Sequence, residues 1–149
     1  MLHHGGVIHK WRSNMATYKS DMVKGNQSFK PFPSGAVGVR YASFEASTAL
    51  ASGDILQLVD VFSGETVHDV IIKVDDLDSG SSIEFDIGDG GAVDYYIDGS
   101  TIGRTGGTDE KDANVAPKVY SADDTIDMKV TASPAGGGKG TIELWVYVS

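Results

Sequence analysis

The feature that most narrows the folds open to this chain is a period-two alternation of apolar and polar residues, interrupted at short intervals by glycine-rich turns. Ile83, Phe85 and Ile87 alternate with Ser82, Glu84 and Asp86, and Ile126, Met128 and Val130 alternate with Thr125, Asp127 and Lys129. Successive side chains on a strand point to opposite faces, so each run reads as a strand with one buried face and one wet one. Ile55 to Phe62 and Val67 to Val74 are β-branched runs separated by Ser63-Gly64-Glu65-Thr66, a spacing that predicts a hairpin. Residues 36–41, 94–97, 118–120 and 141–148 supply further short strands, and no segment carries a helical period. Roughly eight strands joined by glycine-rich turns predict an all-β fold, an antiparallel β-sandwich of jelly-roll type.

A chain of 149 residues fits one ordinary domain. With no cysteine, neither a disulfide framework nor a thiolate zinc site can hold it together, and packing must do so. No run approaches the roughly 18 apolar residues of a membrane span, and the first twenty residues lack the apolar stretch of a signal peptide. The expectation is a soluble protein made inside the cell, with no membrane partner.

Charge divides the chain. Residues 1–40 hold Lys10, Arg12, Lys19, Lys24, Lys30 and Arg40 against Asp21 alone, a net +5, while the remainder carries −14. Residues 1–35 show no sustained period and include Gly5-Gly6 and Pro31-Phe32-Pro33, so they are expected to form an extended basic arm ahead of a sandwich domain at 36–149. Trp11, Tyr18, Met22, Phe29 and Phe32 are too many for a plain linker. They either anchor the arm on a partner or fold back on the parent domain. Lys10, Trp11, Arg12, Tyr18, Lys19, Lys24, Phe29, Lys30 and Phe32 are the candidate partner-binding residues. An acidic protein surface suits them better than nucleic acid, because the basic residues are spaced out and the acidic body repels phosphate. Met15 offers a second possible start.

Two connections stand out. Residues 98–117 read as a long, nearly structureless loop, a candidate contact loop with Arg104 and Lys111 as its cations. Residues 133–140 form a second glycine-rich tip, but Lys139 precedes Gly140 where a phosphate-binding loop needs Ser or Thr. Gly88-Asp89-Gly90-Gly91 lacks the third glycine of a dinucleotide fingerprint and reads as a turn. Asp75, Asp76, Asp78, Asp86 and Asp89 are dense enough to raise calcium, yet Asp76-Leu77-Asp78-Ser79-Gly80 departs from a calcium-loop pattern and aspartates favour turns. No metal ligand or cofactor is assigned. Of four histidines only His68 lies in the body, beside Asp69, and adjacent strand residues face opposite ways. No catalytic set emerges, and the chain is expected to be no enzyme.

The last strand is unusual on both faces. Ile142, Leu144, Val146 and Val148 form one row, while Trp145 and Tyr147 share the other with Thr141 and Glu143. Either the domain covers those aromatics itself or they form a subunit interface.

The turn and strand segments of residues 47–148 resemble a group of small virion proteins of tailed bacteriophages. The likeness lies in Leu50-Ala51-Ser52-Gly53-Asp54-Ile55, Asp76-Leu77-Asp78-Ser79-Gly80, Phe85-Asp86-Ile87-Gly88-Asp89-Gly90, Tyr96-Ile97-Asp98-Gly99, Ala122-Asp123-Asp124-Thr125-Ile126 and Gly140-Thr141-Ile142-Glu143-Leu144. Such proteins are similar to head-decoration or cement proteins. The resemblance implies a structural protein on the capsid exterior of a virion, binding major capsid protein and assembling as a homo-oligomer, with a trimer favoured. It does not extend to the arm. The alternative is a tail or head-fibre module recognising host-surface glycans through Tyr95, Tyr96 and Trp145.

Overall fold

The computed structural model describes residues 16–25, 36–78, 82–133 and 138–149. Among these residues, ten strands form two sheets. The first sheet runs β1 (Thr17–Lys19), β3 (Ile55–Val61), β9 (Asp124–Ala132), β5 (Glu84–Gly88), β6 (Ile97–Ser100). The second runs β2 (Gly38–Leu50), β10 (Gly138–Val148), β4 (Thr66–Val74), β7 (Gly107–Glu110), and β8 (Lys118–Val119) also pairs with β4. Every pairing is antiparallel except β1 with β3. The expected all-β sandwich is the observed architecture.

The alternation marks the core correctly. Ile83, Phe85, Ile87, Ile126, Met128, Val130, Ile142, Leu144 and Val146 are all fully buried. They meet Leu56, Leu58, Val70 and Ile72 from the neighbouring strands in one apolar cluster between the sheets. With the period fixed at two, burying one row of a strand turns the other row outward, so the core also decides what each outer face displays.

Several expectations need correcting. The runs on either side of Ser63-Gly64 do not form a hairpin, since β3 lies in the first sheet and β4 in the second. The turn is instead a corner. Gly64 takes a left-handed φ of 90°, its N–H donates to the Tyr120 carbonyl, and the Tyr120 N–H returns a bond to Glu65. These bonds draw the connection onto the β8 segment and carry the chain across the sandwich. Residues 98–117 are not structureless either: they hold the end of β6, a 3-10 turn at Ile102–Arg104 and β7, and lead into β8. Backbone pairing of β7 to Ile71–Val74 orders its polar residues, which carry no apolar alternation to betray a strand. The first strand of the body runs on from the expected residue 41 to Leu50, its inner row completed by Ala42, Ala46 and Leu50. The expected strand at 94–97 is displaced to Ile97–Ser100.

Residues 16–25, placed by the sequence in the arm, join the body. β1 extends the first sheet beside β3, Ser20 Oγ donates to the Leu58 carbonyl, and Met22 is buried. The remainder of the arm and the tip at 134–137 lie outside the described residues.

Phe85 is fully buried at the centre of this core. Replacing it with Ala is expected to cost about 3–5 kcal/mol, read as a shift in the urea midpoint at constant slope; a loss under about 1 kcal/mol would place Phe85 outside the cooperative core.

Candidate contact surface

The outer faces of the two sheets differ in chemistry. On the first, register sets Lys19, Gln57, Asp127 and Gly88 in one row and Thr17, Ile55, Lys129 and Asp86 in the next, a predominantly polar surface. On the second, β10 is central, and its outward Tyr147 and Trp145 stand between Val39 and Tyr41 of β2 on one side and Asp69 and Ile71 of β4 on the other. The Tyr41 and Trp145 rings pack tilted, with centroids 5.1 Å apart. Val37, Val39 and Tyr41 are exposed, at 56%, 46% and 41%. Trp145 and Tyr147 are half-buried by these neighbours. The described residues thus cover this aromatic row only in part.

The other end of the same face is polar and internally bonded. Tyr41 Oη donates to Glu143 at 2.8 Å, Lys73 lies 3.6 Å from Glu143, and Thr141 Oγ1 donates to Glu45 at 2.8 Å. The hydrogen bond to Glu143, with some burial, holds the Tyr41 hydroxyl above its ordinary pKa, so Tyr41 stays a neutral donor at physiological pH.

The remaining candidate residues fall in different places. Tyr18 packs its ring against Phe44 at 5.8 Å, at the rim between the sheets. Lys19 and Lys24 are exposed, with Lys24 3.8 Å from Asp21. Lys10, Trp11, Arg12, Phe29, Lys30 and Phe32 lie outside the described residues. Arg104 donates from Nε to the Ile83 carbonyl at 3.0 Å and lies 3.6 Å from Glu84, while Lys111 Nζ donates to the carbonyls of Asp112 and Val115. Arg104 thus ties the loop to β5 and its flank, and Lys111 closes the loop on itself. Arg40, counted with the basic arm by its position, is a buried β2 residue whose guanidinium grips Glu65 in two bonds and donates to the Asp60 carbonyl at 3.0 Å. Of the aromatics considered for glycan stacking, Tyr96 is fully buried, Tyr95 lies in the turn before β6, and Trp145 lies on β10.

The dense aspartates serve as turn acceptors. Asp78 receives the N–H groups of Ser82 and Ile83, and Asp86 receives that of Gly99. Asp89 receives the N–H groups of Gly91 and Ala92 on one oxygen and, on the other, the Lys118 ammonium and the Tyr120 hydroxyl. Among the described residues no three such side chains form a group able to hold a metal ion. Burial pushes the Asp89 carboxyl up, but the bonds from Lys118 and Tyr120 outweigh it and hold the group below its usual range. Asp127 goes the other way. It is buried on the outer face of β9, and desolvation, aided by the charges of Asp124 and Asp89 and opposed by the Thr125 hydroxyl, pushes it up to about 7.

No protein-family model matches the chain, and no curated protein matches it by sequence. Among solved structures it is similar to a chain in the capsid of Ralstonia phage GP4, with 26% identity and a TM-score of 0.75 over 89% of this chain and 96% of that one. It is similar also to a chain of the cyanophage Pam1 capsid asymmetric unit, with 21% identity and a TM-score of 0.65 over 83% and 94% of the two chains. A chain from the acid-stable capsid of Helicobacter pylori bacteriophage KHP30 shares 13% identity at a TM-score of 0.53 over 76% and 88%. The second and third likenesses are of fold. The first extends to sequence and supports a structural role in a phage particle.

Asp127 generates a prediction about pH. Its folded pKa lies above the unfolded value of about 4, so the folded state holds the extra proton and this contribution to stability is lost as pH rises from about 4 through about 7. Asp127→Asn removes the titration, and urea unfolding from pH 4.5 to 8 is expected to show a flatter profile and a variant more stable than the parent at pH 8. Parallel profiles would exclude Asp127 as the source.

Proposed function

We propose that the chain is a virion structural protein that decorates and stabilises a phage capsid from the outside by binding major capsid subunits. The observation that carries this reading is the likeness, in sequence and over nearly the whole of both chains, to a chain in the capsid of Ralstonia phage GP4. The chemistry agrees with it. The second sheet presents an aromatic outer face, and the dense aspartates are spent on turns. The charge division supplies the means of attachment: the described body is acidic, whereas residues 1–15 carry Lys10 and Arg12 with Trp11 between them and no acidic residue. These residues, with Phe29, Lys30 and Phe32, form the tether, and Trp145 with Tyr147 forms a second contact with another subunit.

The fold makes the test sharper than removal of the whole arm, because residues 16–25 contribute a strand and a buried methionine to the body. Deleting residues 1–15 is expected to leave thermal unfolding nearly unchanged while occupancy on purified capsids, read by electron microscopy, falls at least tenfold. Deleting residues 1–25 should also lower the melting midpoint. Full occupancy by the shorter deletion would remove the tether from this reading, and density on a fibre in place of the capsid would favour glycan recognition. Trp145→Glu is expected to reduce occupancy far more than stability; a collapsed melting midpoint with unchanged occupancy would make Trp145 a packing residue alone.

A further inference from the structure

We infer that the exposed edge of β2 is a self-pairing site, at which two copies of this chain join antiparallel and merge their second sheets across a two-fold axis. The inference starts from how the sheet edges are finished. A free strand edge is a row of unpaired N–H and C=O groups, and proteins blunt such rows with short strands, charges or covering segments. Three edges here follow that rule. β1 is three residues long and ends in Lys19; β6 and β7 are four residues each and carry Asp98 or Asp109 and Glu110. The long interior strands behind them are covered in pieces. β4 is paired by β7 over Ile71–Val74, by Lys111 N–H at the Val70 carbonyl, and by β8 over Thr66 and Val67. β3 is paired by β1 and then by Ser20 N–H at the Gln57 carbonyl.

β2 breaks the pattern. It runs 13 residues, contains no proline or lysine, and among the described residues its backbone pairs with β10 alone. Among the described residues, three of the four exposed large apolar side chains, Val37, Val39 and Tyr41, lie on it or lead into it. Exposed apolar side chains beside an uncapped edge are the two things a pairing strand needs, backbone partners and a side-chain row to bury.

Charge selects the occupant. The chain carries a net −9, so two copies repel over most of their surface. Along the outward row Val37, Val39, Tyr41, Ser43 and Glu45, only Glu45 is charged, and the other charge of the strand, Arg40, is buried beneath the sheet and gripped by Glu65. An antiparallel copy therefore meets apolar or hydroxyl side chains, and Glu45 lies opposite no second Glu45 in any register centred on residues 39 to 43. A partner of opposite charge would find nothing along Val37–Ser43 to recognise. Two-fold pairing also places the Tyr41–Trp145 contacts of both copies side by side. This symmetry replaces the three-fold association implied by the sequence resemblance, and it stands or falls independently of capsid decoration.

The test uses the purified full chain without capsids. Light scattering on a dilution series is expected to give a particle of twice the 15.7 kDa chain mass, with pairing tightened by added salt as the like net charges are screened. Val39→Lys with Tyr41→Lys, which supplies the edge charges other strands use, should give a monomer with a nearly unchanged melting midpoint. Val119→Lys, at a still more exposed site on β8, should leave the dimer intact. A trimer, a monomer at all concentrations, or a dimer indifferent to the paired lysines would overturn the proposal. So would slow amide exchange along β2 in a monomer, which would assign the edge to this chain's own residues.

Discussion

Packing between two inner faces is the main interaction that joins the sheets, because the chain has no disulfide to share the task. Large side chains from both sheets are wholly withdrawn from water, Phe85, Leu56 and Met128 among those of the first and Ile72, Ile142 and Leu144 among those of the second. Burial of this kind is worth about 1.5–3 kcal/mol for each large apolar side chain, and it must offset the entropy of ordering the strands that carry it. The chain therefore crosses between sheets repeatedly: β2 to β3, β3 to β4, β4 to β5 and β9 to β10 all change layer. Each crossing removes backbone from a ladder, and local bonds replace what is lost. Asp54 receives the N–H groups of Ala16 and Ala51 at the first, Glu65 receives that of Phe62 at the second, and Asp78 receives those of Ser82 and Ile83 at the third.

Arg40 shows why such a corner tolerates a buried charge. Its guanidinium lies within the layer and meets both oxygens of Glu65, a carbonyl of β3 and the ring of Phe62, 5.2 Å away. A planar cation with several donors suits that geometry, and a lysine could not reproduce it. The pair gains from fixing where the chain turns more than from raw stability, since desolvation offsets much of the attraction between buried ions.

What the sequence revealed follows from which force acts at each place. Where one face of a strand is buried and the other wet, alternation displays it, and residues 83–87, 126–130 and 142–148 were legible for that reason. Where hydrogen bonding alone orders the chain, nothing in the side-chain pattern shows it: β7 is Gly107-Thr108-Asp109-Glu110, and β2 beyond Tyr41 buries mainly alanines. The corner at Gly64 resembles a hairpin in sequence, because a short turn between two β-branched runs looks the same whether the second strand returns beside the first or passes to the opposite sheet. The aromatic row of Trp145 and Tyr147 was visible because it broke the alternation. The contribution of Val39 and Tyr41 to the same surface was not, since register across β2 and β10 brings together residues about a hundred positions apart. Charge segregation suggested an arm to residue 35, yet Tyr18, Ser20 and Met22 dock by rim contacts that charge does not report.

The place of β10 in the second sheet bears on how the protein is made. It is the last of the ten strands to be synthesised, yet it is the central partner of both β2 and β4, which touch no other long strand of that sheet. On the ribosome β2 and β4 must wait, each with an open edge toward a strand that does not yet exist. The first sheet, completed by β9, can assemble ahead of it. Long waiting of this kind is a feature of chains whose contacts are distant in sequence, and it leaves strand edges exposed to wrong partners. It also acts as a check on completeness: without residues 138–148, β2 and β4 lose the strand that pairs with both, and the outer row that Trp145 and Tyr147 share with Val39 and Tyr41 is never formed.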